Sequence, residues 1–156
     1  MSLEKELQNE QVAHLDLSGF SQIAKGATVK DALNQMRKDG HNVCLVTEKE
    51  HLVGILTDRD VITKIAAQPE MMGKSVEDVM TKNPITVTPQ TSAKDALWLM
   101  DEKHIRNLPV VKNDGTIIGD MTHQAVISFL ADRYPIEVLN RPPRPDQFPM
   151  KPEGGD

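Results

Sequence analysis

Hydrophobic positions along the chain follow two rhythms, one helical and one strand-like. Val29, Ala32, Leu33 and Met36 fall at i, i+3, i+4 and i+7, which predicts one face of a helix. Thr28 with Asp31 three residues on predicts its N-cap, and Gly40 its end. Before this helix, residues 20–23 predict a short strand followed by the Lys25-Gly26 turn. After it, residues 42–47 and 52–56 are apolar, β-branched runs separated by the charged EKEH, which predicts a hairpin. Val61, Ile62, Ile65 and Ala66 predict a second helical face, closed by residues 69–73. The unit reads β-α-β-β-α.

The same unit returns. Ile23, Thr28, Asp31, Ala32, Leu33, Met36 and Val46 recur as Val87, Ser92, Asp95, Ala96, Leu97, Met100 and Val110, a constant spacing of 64 residues. One residue is then added at the hairpin turn. Gly54, Thr57, Val61, Ile62 and Ile65 match Gly119, Thr122, Val126, Ile127 and Leu130 at a spacing of 65, and turns are where chains tolerate insertion. Between the copies, Ser75 offers a cap before Val76, Val79 and Met80, and Asn83-Pro84 marks a turn before a strand predicted over 85–88. This divides the chain into an N-terminal helical extension (1–19, with Leu3 and Leu7 on one stripe), a first repeat (20–74), a connector with the second repeat (75–134), and a tail (135–156). The tail holds six of the ten prolines. It is expected to run extended over a surface, to pack on a neighbouring subunit or to be disordered, and Pro142 and Pro145 formally give PxxP spacing.

Composition narrows the function classes. A net charge of −5 supplies no basic face for nucleic acid or anionic membrane. The single cysteine, Cys44, lies in the apolar run VCLV and behaves as a small hydrophobe, which suits a reducing compartment. No apolar run approaches the ~20 residues that cross a bilayer, and the charged first residues do not resemble a secretory signal, so a cytoplasmic location is expected. The five histidines share no ligand spacing, so no metal site is expected. No nucleophile, base and orienting group stand together, so no catalysis is expected either.

Chemistry concentrates in residues 54–60, GILTDRD, and its altered copy at 119–125, GDMTHQA. Thr57 ends a strand and Asp60 lies in the first turn of the next helix. The carboxylate of Asp60 suits the 2′ and 3′ hydroxyls of a ribose, and the Thr57 hydroxyl can donate to a phosphate near the helix start. The same two residues also match a capping box, which needs no ligand. In the second copy Thr122 remains, but Ala125 removes the ribose acceptor, and Asp120, on the strand face of Thr122, is expected to place an anion where phosphate would approach. His104, Arg106 and Asn107 could bring a phosphate partner across from the other repeat, with Arg106 first among them, and Arg59 is a further candidate. Structural ion pairing or solvent exposure is the alternative for each. Trp98 lies off the Ala93, Ala96, Leu97, Met100 face, either at a subunit interface or at the edge of the core.

In order and spacing, VEDVMTKNPITVTP, HIRNLPVV and GILTDRDV resemble the motifs of a tandem pair of cystathionine β-synthase (CBS) domains, a Bateman module, over roughly residues 20–131. The resemblance implies an α+β fold of two repeats related by a pseudo-twofold axis, with two clefts that commonly hold AMP, ADP, ATP, NAD or S-adenosylmethionine. It gives Asp60 the ribose and Thr57 the phosphate, and it places adenine beside residues 21–23, including Ile23, with Val43 and Ile55. It also implies a regulatory homodimer read by an effector protein. The alternative is a structural homodimer whose clefts have lost their ligand.

Overall fold

Thr28 and Asp31 close a reciprocal capping box at the start of α2 (Val29–Asp39), and Gly40 ends that helix in a left-handed conformation at φ 73°. The capped helix lays Val29, Ala32 and Met36 on the first sheet, as its periodicity predicts. In the computed structural model, residues 3–133 are described; the proline-rich tail lies outside them.

The first sheet has the order β1 (Ser21–Ala24), β2 (Val43–Glu48), β3 (His51–Thr57) and β4 (Thr81–Lys82). β1 runs parallel to β2, and the other neighbours are antiparallel. α1 (Leu3–Asn9) precedes this sheet, and α3 (Asp58–Asp60) follows β3 and continues as a π-helical stretch (Val61–Ile65). The second half repeats the plan with α4 (Ala93–Lys103), the antiparallel pair β5 (Asn107–Val111) and β6 (Ile117–Thr122), and α5 (His123–Arg133). Both hairpins break register at matching places, Val46/Thr47 and Val110/Val111.

The strand predicted over residues 85–88 is reduced to one parallel bridge, Val87 to Val110. Val87 donates to the carbonyl of Pro109 and accepts from Val111. Pro109 has no N–H to carry the ladder further.

The two halves exchange their leading segments. Val12, Leu15 and Leu17 are buried with Ala93, Ala96, Met100, Leu108 and Met121 of the second half, so residues from the N-terminal extension pack into that core. Val76, Val79 and Met80 are buried in the first half's core, against Val29, Met36 and Leu56. The backbone follows the same symmetry: Val29 N donates to Lys74 O at 2.9 Å, and Ala93 N to Glu10 O at 2.7 Å. Along the strand edges, β4 pairs with Gly54 and Ile55, while Asp120 N donates to Leu17 O at 3.0 Å. A third cluster of Val43, Leu45 and Ile55, with Phe20, Leu52 and Ile117 against it, joins the first sheet to the second half. The hairpin tips meet there through Leu52 N and Gly115 O.

Ile62 and Ile127, predicted on buried faces, stand 70% and 57% exposed. Val61 with Ile65, and Val126 with Phe129 and Leu130, take the inward positions, leaving the following isoleucine about one-quarter turn away. Trp98 is 62% exposed.

The glycine shared by the two motifs has a packing reason at the second copy. A Cβ on Gly119 would lie 2.4 Å from Leu17 Cβ and 2.5 Å from its carbonyl oxygen, a backbone atom that cannot yield cheaply. Gly119→Ala is therefore expected to destabilise the fold by about 2 kcal/mol or more, read as a lowered midpoint in urea unfolding.

Candidate functional site

The β3–α3 corner turns sharply because Thr57 and Asp60 satisfy each other. Asp60 N donates to Thr57 Oγ1 at 3.4 Å, Thr57 N donates to Asp60 Oδ2 at 3.0 Å, and the Thr57 hydroxyl donates to the same oxygen at 3.3 Å. Asp60 is 8% exposed, and its Oδ1 faces Lys64 Nζ at 3.2 Å. Lys64 also donates to Val79 O at 2.9 Å. The capping box read from sequence is thus formed. It leaves acceptor capacity on both Asp60 oxygens, since an ionised carboxylate offers about four lone-pair sites. The Thr57 proton points to Asp60, so donating it to a phosphate would require the hydroxyl to turn.

Thr57 and Asp60 open onto a cavity of about 280 Å³. Ile55, Asp58 and Arg59 share that wall, and His104, Ile105, Arg106 and Asn107 face it from the second half. Thr81, Asn83, Pro84 and Ile85 complete the lining from the segment between the halves. Of the candidates named from sequence, the fold brings Thr57, Asp60, Ile55, Arg59, His104 and Arg106 together. Ile23 does not join them: it packs against the first core, on the far side of the strand ladder from the cavity. Val43 lines a different cavity, together with Thr122. In place of Ile23 and Val43, the apolar lining of this cavity besides Ile55 comes from Pro84 and Ile85, because β4 and the following turn lie against β3, and from Ile105 after α4. The sequence signal for Pro84 and Ile85 was the Asn83-Pro84 turn, which says that the chain bends without saying what it bends against.

His104 holds a second kind of clue. It ends α4 at φ 55°, the position that Gly40 occupies in the first half, so a branched ring stands where the backbone favours glycine. Asn83, also on the cavity wall, sits at φ 49°. Asparagine adopts that conformation readily, so the cost falls on His104.

The second cavity, about 410 Å³, is lined by Thr122, His123, Gln124, Ala125 and Ser128 on one side and by Asp16, Ser18, His41, Asn42 and Val43 on the other. Thr122 caps α5 by accepting from Ala125 N at 3.1 Å, and no carboxylate answers it. Asp120 does not line this cavity, contrary to its expected place beside an incoming phosphate. It is 1% exposed, both of its oxygens lack a hydrogen-bond partner among the described residues, and burial pushes its carboxyl up to about 8. It takes the place matching Ile55, deeper along the strand than Thr122. The acids on this cavity wall are Asp16 and Asp58.

The CBS domain family model matches residues 21–67 and 76–132. The chain belongs to the CBS domain family. It is 40% identical over 108 residues to the CBS domain-containing protein CBSCBSPB3 of Arabidopsis thaliana, covering 68% of this chain and 19% of that one. It is 37% identical over 109 residues to the mitochondrial CBS domain-containing protein CBSX3 of the same plant, covering 64% and 53%. The chain thus spans between about a fifth and about half of these curated relatives. Among solved structures, CBSX2 in complex with AMP superposes with a TM-score of 0.70 at 26% identity, over 80% of this chain and 98% of that one. The CBS domain structure NE2398 gives 0.70 at 27%, over 78% and 97%. The α+β pair of tandem repeats is therefore the CBS fold. Among the described residues, no helix is long and apolar enough to cross a membrane, and no group of three potential ligands is placed to hold a metal ion.

Two outcomes follow from the strained and buried groups. Because the folded-state pKa of Asp120 lies above the ordinary carboxyl value of 3.8, stability is greatest below that value and declines as pH rises toward about 8. Asp120→Ile, which copies Ile55, is expected to raise stability at pH 7 by about 2 kcal/mol and to flatten that decline, as measured by urea unfolding across pH. His104→Gly is expected to relax the α4 terminus and stabilise by about 1 kcal/mol, seen as a higher melting temperature.

Proposed function

We propose that this CBS pair is a regulatory module that binds an adenosine nucleotide in the first cavity and signals by shifting the arrangement of its repeats or subunits. What carries this reading is the convergence of unlike groups on one cavity. A carboxylate with spare acceptor capacity, Asp60, shares the cavity lining with the apolar Ile55, Pro84 and Ile85 and with the guanidinium groups of Arg59 and Arg106 beside His104. Asp60 takes the ribose hydroxyls, the apolar residues take adenine, and the guanidinium groups take phosphate. The volume lies near the lower end of ligand pockets, which favours a mononucleotide such as AMP, ADP or ATP over NAD. S-adenosylmethionine fits the ribose and adenine groups but offers the guanidinium groups no phosphate. The AMP complex of CBSX2, a relative in fold at 26% identity, supports an adenosyl ligand.

A signal requires different affinities in two arrangements. The exposed Ile62, Ile127 and Trp98 offer apolar surface for a homodimer through which such a shift would be read by an effector protein. A second reading, a structural homodimer with degenerate clefts, draws on the mutual satisfaction of Thr57 and Asp60 and on Ala125.

Calorimetric titration with AMP, ADP, ATP, NAD and S-adenosylmethionine separates them. AMP is expected to bind, and Asp60→Ala to weaken it about 10- to 100-fold, the loss of hydrogen bonds to a charged acceptor. Absence of heat with every ligand favours the structural dimer.

A further inference from the structure

Asp58, Arg106 and Asn107 line both cavities and so form the partition between them. Within it, an Arg106 Nη2 donates to Asp58 Oδ1 at 3.5 Å, across 48 residues of sequence and from one repeat to the other. Their side chains are 69% and 42% exposed, so the pair is weak and breaks at little cost. Arg106 is also the guanidinium on the rim of the first cavity, where its planar fork suits a phosphate better than a single carboxylate oxygen at 3.5 Å.

We propose that Asp58 is an internal competitor for Arg106 and thereby sets how strongly the first cavity prefers phosphorylated over unphosphorylated ligands. In the free protein the carboxylate holds the guanidinium at the partition. A phosphate must take Arg106 from Asp58, which lowers the affinity for every phosphate-bearing ligand and leaves adenosine unaffected. The released carboxylate then faces the second cavity beside Asp16, without its cation. This rests on the nucleotide reading of the first cavity and adds to it the residue that tunes phosphate recognition.

The test is a double-mutant cycle read by calorimetry with AMP and adenosine on the full chain. Asp58→Asn is expected to tighten AMP about two- to fivefold, the size of an exposed ion pair, with adenosine unchanged. Arg106→Gln is expected to weaken AMP, and adding Asp58→Asn to Arg106→Gln is expected to restore nothing. Equal tightening by Asp58→Asn in both backgrounds would mean plain repulsion of phosphate and would overturn the competition, as would no tightening in the parent chain. In either case, AMP binding by the parent chain leaves the nucleotide reading standing. Failure of the parent chain to bind either ligand removes that reading and this inference together. Asp58→Ser, with melting temperatures for all variants, separates a folding defect from a binding effect.

Discussion

Each half of this chain is completed by the segment that leads into the other. Val76, Val79 and Met80 fill the first core, and Val12, Leu15 and Leu17 fill the second, with matching backbone hydrogen bonds at Lys74 and Glu10. A small β-α-β-β-α unit would leave the outer edge of its last strand unpaired. Here β4 covers that edge on β3, and the Leu17 carbonyl covers it on β6. The exchange ties the halves together in one core system, so the clefts between them have walls drawn from both. It also explains the glycine of the second motif, since a Cβ on Gly119 would meet the Leu17 backbone where the leading segment crosses the strand, while Gly54 faces the Met80 side chain.

On this symmetric frame, single substitutions make the two cavities unlike. Thr57 faces Asp60, whereas Thr122 faces Ala125. Ile55 is replaced by Asp120, a buried carboxyl with no hydrogen-bond partner among the described residues, which burial holds protonated well above the ordinary range. Gly40 is replaced by His104, which accepts backbone strain to place a ring on the first cavity. The second repeat thus bears a buried acid and a strained histidine where the first has an apolar residue and a glycine, and it lacks the acid that the first keeps at Asp60. A duplicated scaffold with a robust core can carry such costs at its sites.

Much of the fold was legible in the chain because helical and strand periodicity are local. The caps at Thr28 and Ser92, the α2 and α4 faces and the two hairpins all stand where spacing places them. The shortened pairing at Val87 was also written in the sequence as Pro109, but its effect needs the register that sets Val87 beside it. For the candidate site, the strand-end motif pointed to Thr57 and Asp60, and the start of β5 pointed to Arg106 and His104. Ile23 and Val43, which family analogy set beside adenine, lie away from the first cavity because Ile23 packs into the first core and Val43 lines the second cavity, while Pro84 and Ile85 after β4 line the first.

By itself the sequence determined the repeat, the order of elements and the loss of the acid at Ala125, since each depends only on residue identity and spacing. Tertiary structure decided which leading segment belongs to which core, which cavity each candidate faces, and that Asp58 meets Arg106 48 residues away. Those outcomes turn on long-range packing between surfaces that are equally apolar in both repeats, and a local pattern cannot tell two such surfaces apart.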